Sequence, residues 1–145
     1  LDPAKVIEHS LDIFPDSNII FLKPDKEFKM EFDRDHLNRI VTNLLKNSIQ
    51  SIPSGRDPEI KVKLFDDKKH IFIEVEDNGS GIEDSINQKI FEPKFTTKTS
   101  GMGLGLPMVK NIIEVYNGKI SFNTNSMNGT IFKISFPKNK LDAIK

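Results

Sequence analysis

From Leu37 to Ile52 the apolar residues Leu37, Ile40, Val41, Leu44, Leu45, Ile49 and Ile52 recur at helical spacing, and two strictly alternating stretches follow. A helix with one apolar stripe needs a surface to lie on, and a strand with one apolar face provides it. Asp33 supplies an N-cap for the helix, while Pro53 and Gly55 close it. Ile60, Val62 and Leu64 then alternate with Lys61 and Lys63, and Ile71, Ile73 and Val75 with Phe72, Glu74 and Glu76. Both have the period of a half-buried strand. A glycine turn at 79–81 ends the second.

The flanking sequence extends the pattern. Val6, Ile7, Leu11 and Phe14 fit a short helix, and the alternation of Phe28, Met30 and Phe32 with Lys29, Glu31 and Asp33 predicts another strand. Leu106, Val109, Ile113 and Tyr116 predict a helix starting near Leu106, with Pro107 in its first turn and Gly118 past its end. Ile120 with Phe122, then Phe132, Ile134 and Phe136, predict a closing hairpin through Asn128 and Gly129. The expected fold class is α/β: a two-layer sandwich with helices on one face of a sheet. Strand order and pairing do not follow from periodicity.

With 145 residues the chain suits a single domain, residues 1–145. A net charge of zero gives no global attraction to nucleic acid or anionic lipid. No apolar run is long enough to span a bilayer, and the absence of cysteine excludes a disulfide framework and suits a reducing compartment. The chain opens at Leu1 in mid-pattern, which predicts a module excised from a longer protein.

Three stretches carry chemistry. The first, TTKTSGMGLGLPMVK at 96–110, places Gly101, Gly103 and Gly105 before a helix. From Pro93 to Lys110 the only charged side chains are Lys94, Lys98 and Lys110. Closely spaced glycines expose backbone N–H groups, and a helix N-terminus favours anions, so the stretch can cradle phosphate. It equally fits a flexible surface loop. The second, EDNGSGI at 76–82, ends a strand. Asp77 followed by Gly79 and Gly81 is either an acidic turn or a carboxylate at the mouth of the sheet. In the second case it accepts from an exocyclic amine, and the glycines admit a flat ligand close to the backbone. The third, NLLKNSIQS at 43–51, stacks Asn43 and Asn47 one turn apart, either as polar boundary residues or as carbonyl ligands for Mg²⁺.

The order of these features is distinctive: an Asn-bearing helix, Asp77-x-Gly79-x-Gly81, Phe-Glu-Pro-x-Phe at 91–95, and Gly-x-Gly-Leu-Gly-Leu at 101–106. In this order the chain resembles the ATP-binding catalytic domain of sensor histidine kinases, within the gyrase, chaperone, kinase and mismatch-repair ATPase superfamily, from about Val6 to Pro137. The resemblance implies a Bergerat-type fold with a mixed sheet and ATP held between the helical layer and a lid. It implies that Asn47 is the Mg²⁺ ligand, with Asn43 beside it, and that Asp77 binds adenine alongside Gly79, Gly81 and Ile82. Phe91 and Phe95 resemble the aromatic pair anchoring the lid. Lys98 is similar to a lid lysine reaching phosphate, Asn47 and Lys98 being the catalytic pair. Thr97, Gly101, Gly103, Leu104, Gly105 and Leu106 complete the lid side of the nucleotide site, and Gly129-Thr130 resembles the Gly-Thr near the adenine pocket.

The sequence departs from the family pattern at Gln50, where many relatives carry a basic residue, and at Lys94 and Met102. NSIQSIP and FEPKFTTK are nevertheless similar to the nitrogen-regulation type of kinase. In the hydrolysing branches a glutamate precedes the metal-binding asparagine by one turn; here Asn43 occupies that position and is a poor base. Glu83 and Glu92 lie in other motifs. His9, His36 and His70 lack the following acid of a phosphoacceptor helix. The expected function is therefore Mg-ATP binding and γ-phosphoryl transfer to a histidine on a separate dimerisation domain, in two-component signalling with a response regulator. A regulatory ATP binder and an ATP hydrolase are the alternatives. The implied setting is cytoplasmic, with or without a membrane anchor elsewhere in the longer protein. The isolated domain is expected to be a monomer and its parent a homodimer, with no nucleic-acid partner.

Overall fold

The computed structural model describes residues 1–15, 18–81, 91, 102–125 and 129–138. Its elements run α1 (Pro3–Leu11), β1 (Ile19–Leu22), α2 (Arg34–Gln50), β2 (Ile60–Asp66), β3 (His70–Asp77), α3 (Met102–Val115), β4 (Lys119–Asn125) and β5 (Gly129–Pro137). The five strands form one mixed sheet in the order β1-β2-β3-β5-β4. β1 is parallel to β2, and the remaining neighbours are antiparallel.

The alternation read from the sequence is the alternation of burial. Ile60, Val62 and Leu64 of β2, Ile71, Ile73 and Val75 of β3, and Phe132, Ile134 and Phe136 of β5 all point into one core. Register keeps them aligned, with Val62 opposite Val75 and Ile73 opposite Ile134. Leu37, Ile40, Val41, Leu44 and Leu45 of α2 are fully buried against this layer. Truncating any one to alanine costs about 2–5 kcal/mol. Asp33 caps α2, accepting from the backbone N–H of Asp35 at 2.8 Å and His36 at 3.3 Å.

Two local expectations are corrected. The segment around Phe28, Met30 and Phe32 is not a strand of the sheet, although its apolar side chains do pack on the core. Its backbone pairs instead with residue 1: Met30 N–H donates to the Leu1 carbonyl, and the Leu1 amino group to the Met30 carbonyl, both at 3.0 Å. The sheet edge is supplied by β1, a run of four apolar residues without the alternation that reveals a strand.

Helix α3 begins at Met102 rather than near Leu106, so Pro107 falls in its second turn, where it cannot donate to the carbonyl one turn back. The early start brings Gly105 against α2. A Cβ on Gly105 would lie 2.8 Å from Asn43 Oδ1, so this glycine permits close helix packing inside the helix. The C-terminus follows the expected pattern with one refinement. Asn117 takes the left-handed conformation (φ 61°), and Gly118 N–H bonds the Ile113 carbonyl at 2.9 Å.

Candidate functional site

The C-terminal end of α2 meets the C-terminal end of β3, and Asp77 sits at the junction with 3% exposure. Three donors converge on one of its carboxylate oxygens. Gly79 N–H reaches Oδ1 at 2.8 Å, while Thr130 N–H and the Ser51 hydroxyl lie 3.3 Å from it. The Ser51 proton has a nearer acceptor in the Ser48 carbonyl at 2.7 Å, so the two backbone amides hold the carboxylate. All three of these bonds fall on Oδ1. Burial pushes the Asp77 carboxyl above the ordinary aspartate range. The Gly79 and Thr130 amides, followed by the Ser48 and Ser51 hydroxyls, act in the opposite direction.

Glycines around this carboxylate are demanded by contact. A Cβ on Gly79 would fall 2.0 Å from Ser51 Oγ. Gly129 opens β5 with φ +88°, and a Cβ there would lie 2.1 Å from the Asp77 carbonyl oxygen. Gly81 also takes a positive φ, +79°. Thr130, 5% exposed, follows Gly129 and bonds Thr124 Oγ1 through its hydroxyl at 3.1 Å. Asp77, Gly79 and Thr130 are thus brought together.

On α2, Asn47 is 7% exposed and Ser48 1%. Both lie on the buried side of the helix; the Ser48 hydroxyl faces the Asp77 carboxylate, while Asn47 Nδ2 has no hydrogen-bond partner among the described residues. Buried polar atoms are rarely left in that state. A carboxamide can present either its oxygen or its nitrogen to the same point, so Asn47 fits a metal ligand as well as a hydrogen-bond donor. Asn43 is differently engaged: its Nδ2 donates to the Arg39 carbonyl at 2.7 Å and its Oδ1 faces Gly105.

Of the lid expectations, Phe91 packs partly buried against the core. Its ring is edge-on to Phe122 at 6.1 Å, with Lys110 Nζ 5.6 Å from its centroid. Gly103, Leu104, Gly105 and Leu106 belong to α3, and Leu106 is buried. Ile82, Phe95, Thr97, Lys98 and Gly101, with Glu83, Glu92 and Lys94, lie outside the described residues. Among the histidines, His9 is exposed, His36 Nδ1 lies 2.6 Å from Tyr116 Oη, and His70 is near Asp67.

Sequence reasoning missed Ser51, Arg56 and Asn78. Ser51 follows Asn47 by four residues, the spacing that places two side chains on one helix face, and this signal was available. Nothing in the sequence marks Arg56.

The profile of the histidine kinase-, DNA gyrase B- and HSP90-like ATPase family matches residues 32–140. Sporulation kinase A of Bacillus subtilis (strain 168) is 40% identical over 106 residues, 73% of this chain and 17% of that protein. Sporulation kinase B of the same organism is 40% identical over 105 residues, 72% of this chain and 24% of that protein. The chain therefore spans less than a quarter of the length of these relatives. Among solved structures, the nucleotide-free catalytic domain of histidine kinase ThkA superposes with a TM-score of 0.81 at 32% identity, covering 96% of this chain and 94% of that one. The mycobacterial sensor histidine kinase MprB gives a TM-score of 0.81 at 26% identity, over 94% and 95%. The chain belongs to the histidine kinase-, DNA gyrase B- and HSP90-like ATPase family, as a sensor histidine kinase catalytic ATP-binding domain.

Proposed function

We propose that this chain binds Mg-ATP and positions its γ-phosphoryl group for transfer to a histidine carried by another domain of a longer kinase. The observation that carries this reading is the buried, one-sided Asp77 carboxylate. The hydrogen bonds from the Gly79 and Thr130 amides and the Ser51 hydroxyl all fall on Oδ1. An acceptor fixed in this way selects a ligand edge bearing an amine, which adenine has and guanine lacks at the equivalent position. Gly79 keeps the ligand face of the turn low. The unpartnered Asn47 carboxamide would hold Mg²⁺ on the phosphate side, and the ion when bound neutralises phosphate charge.

In this reading Asp77, Gly79, Gly81, Ile82 and Thr130 receive the adenine, and Asn43 and Asn47 flank the phosphates. Phe95, Thr97, Lys98, Gly101, Gly103, Leu104, Gly105 and Leu106 belong to the lid side, with Lys98 stabilising charge on the transferring group. Catalysis would be mostly positioning, since the nucleophile is an imidazole from elsewhere. Asn43, neutral and bonded to the Arg39 carbonyl, is unsuited to activating water, which favours transfer over hydrolysis. The names of the sporulation kinases support a parent kinase; in this reading it carries a phosphoacceptor domain, works with a response regulator and acts as a homodimer from the cytoplasm. No described helix is long and apolar enough to cross a membrane. Mixing the chain with a separately prepared histidine-bearing dimerisation domain and labelled ATP tests the proposal. Labelled histidine is the expected product, and free phosphate without labelled protein would overturn it.

A further inference from the structure

The turn that follows Asp77 is gripped from outside by the α2–β2 connection. Arg56 Nη1 donates to the Asn78 carbonyl at 2.7 Å and to the Gly79 carbonyl at 3.2 Å. On the opposite ends of the same two peptide units, Gly79 N–H bonds Asp77 Oδ1 at 2.8 Å, and Ser80 N–H bonds the Ser51 carbonyl at 3.0 Å. A peptide unit is planar, with its N–H and C=O pointing in opposite directions. Arg56 therefore fixes the outward face of each unit whose inward face serves the site. The Asn78 side chain adds a second brace: its Nδ2 donates to the Asp57 carbonyl and its Oδ1 accepts from Glu59 N–H, both at 2.9 Å. This continues the β2–β3 pairing beyond its last backbone pair, Ile60 with Asp77.

Glycine leaves the 78–79 and 79–80 units free to rotate more than any other residue would. If the 78–79 unit flipped, the Asn78 carbonyl would face the Asp77 carboxylate and Gly79 N–H would be lost to it. A charge-assisted bond from a guanidinium is the strongest hold available on the outward carbonyls.

We propose that Arg56 is a positioning residue for nucleotide selectivity, holding the two peptide units of the turn, one of which gives Asp77 its Gly79 donor, without itself touching the nucleotide. The inference rests on the reading of Asp77 as the adenine acceptor. Arg56→Ala lowers ADP affinity by about tenfold, the scale of one hydrogen bond lost. It lowers GDP affinity less, so the ADP-to-GDP ratio falls. Amide hydrogen exchange at Gly79 and Ser80 accelerates, while exchange at Val75 in mid-strand does not. Arg56→Lys, which keeps a charged donor but not the fork, recovers part of the ratio.

The experiment is calorimetric titration of the unaltered chain, Arg56→Ala and Arg56→Lys with ADP and with GDP, alongside exchange mass spectrometry. Should Arg56→Ala fail to fold, Arg56→Gln, a shorter neutral donor, carries the same comparison. An unchanged ratio with unchanged exchange overturns the role of Arg56 while leaving the adenine site standing. A uniform loss of both affinities also overturns it, because general destabilisation would do the same. Absence of adenine selectivity in the unaltered chain overturns the Asp77 reading and the inference together.

Discussion

The two ends of the site are built on opposite principles. At the Asp77 end, buried polar groups are tied to other protein groups: the carboxylate to Gly79 and Thr130, the turn to Ser51 and Arg56, and Asn78 to the incoming strand. At the Asn47 end, a carboxamide nitrogen is buried with no partner among the described residues. The first end is preorganised by the fold. The second leaves hydrogen-bonding capacity for something the chain does not itself provide. Crowding the glycines of the first end should therefore damage the fold as well as binding, whereas disturbing the second end should damage binding alone.

The largest effect is expected at Gly129. Alanine there must adopt a φ of +88° and place its Cβ 2.1 Å from a backbone oxygen of Asp77. A loss of roughly 3 kcal/mol in chemical denaturation is predicted; a loss below about 1 kcal/mol would mean the β5 start and the Asp77 strand are not tightly joined. Gly79→Ala ranks next, at about 1–3 kcal/mol, since its Cβ meets Ser51 Oγ, which can rotate, but also the Ser51 backbone carbonyl at 2.8 Å. Combining Gly79→Ala with Ser51→Gly should recover part of that loss.

Asn47→Ala breaks the comparison if it behaves like the glycine variants. Removing a buried, unpartnered amide from a helix is expected to change stability by no more than about 1 kcal/mol, in either direction. The same variant should lose the gain in ADP affinity that Mg²⁺ confers on the unaltered chain. A large drop in unfolding midpoint, or an undiminished metal effect, would remove Asn47 from the ligand end. The smallest effect belongs to Gly105→Ala. Its Cβ meets only the movable end of Asn43, and alanine is favoured over glycine in a helix by about 1 kcal/mol, so stability should stay within about that range.

What the sequence made legible follows the same division. Period-2 alternation identified β2, β3 and β5, because each has one face on the core, and helical spacing identified α2 because its stripe is fully buried. β1 escaped: at a sheet edge its four apolar residues alternate in exposure but not in type. The Phe28–Phe32 segment misled for the converse reason, since alternate burial requires only a core on one side, not a strand partner. Asp77 and Gly79 were legible because turn and strand-end chemistry is local in sequence; Thr130 was reached only through the family resemblance. The Arg56 brace and the Gly105–Asn43 contact were not, because each joins residues whose proximity depends on the finished fold. The spacing places Gly105 just before a helix, whereas in the structure it lies inside α3, where its lack of a Cβ admits the Asn43 side chain.

The Asp77 carboxylate links both halves of the account, and its ionisation gives the most direct test. Its pKa is raised by burial, so the charged form that accepts from an amine is lost at a higher pH than for an ordinary aspartate. A raised folded-state value also means that this group favours the fold more as pH falls through it, so Asp77→Asn should not lower the unfolding midpoint at neutral pH. The decisive measurement is calorimetric titration of ADP into the unaltered chain and Asp77→Asn at neutral pH, with GDP as control and unfolding midpoints recorded for both. Adenine-selective binding that weakens by about 1.5–3 kcal/mol in the variant is expected, with the midpoint held or raised. Equal ADP affinity in the two proteins would contradict it.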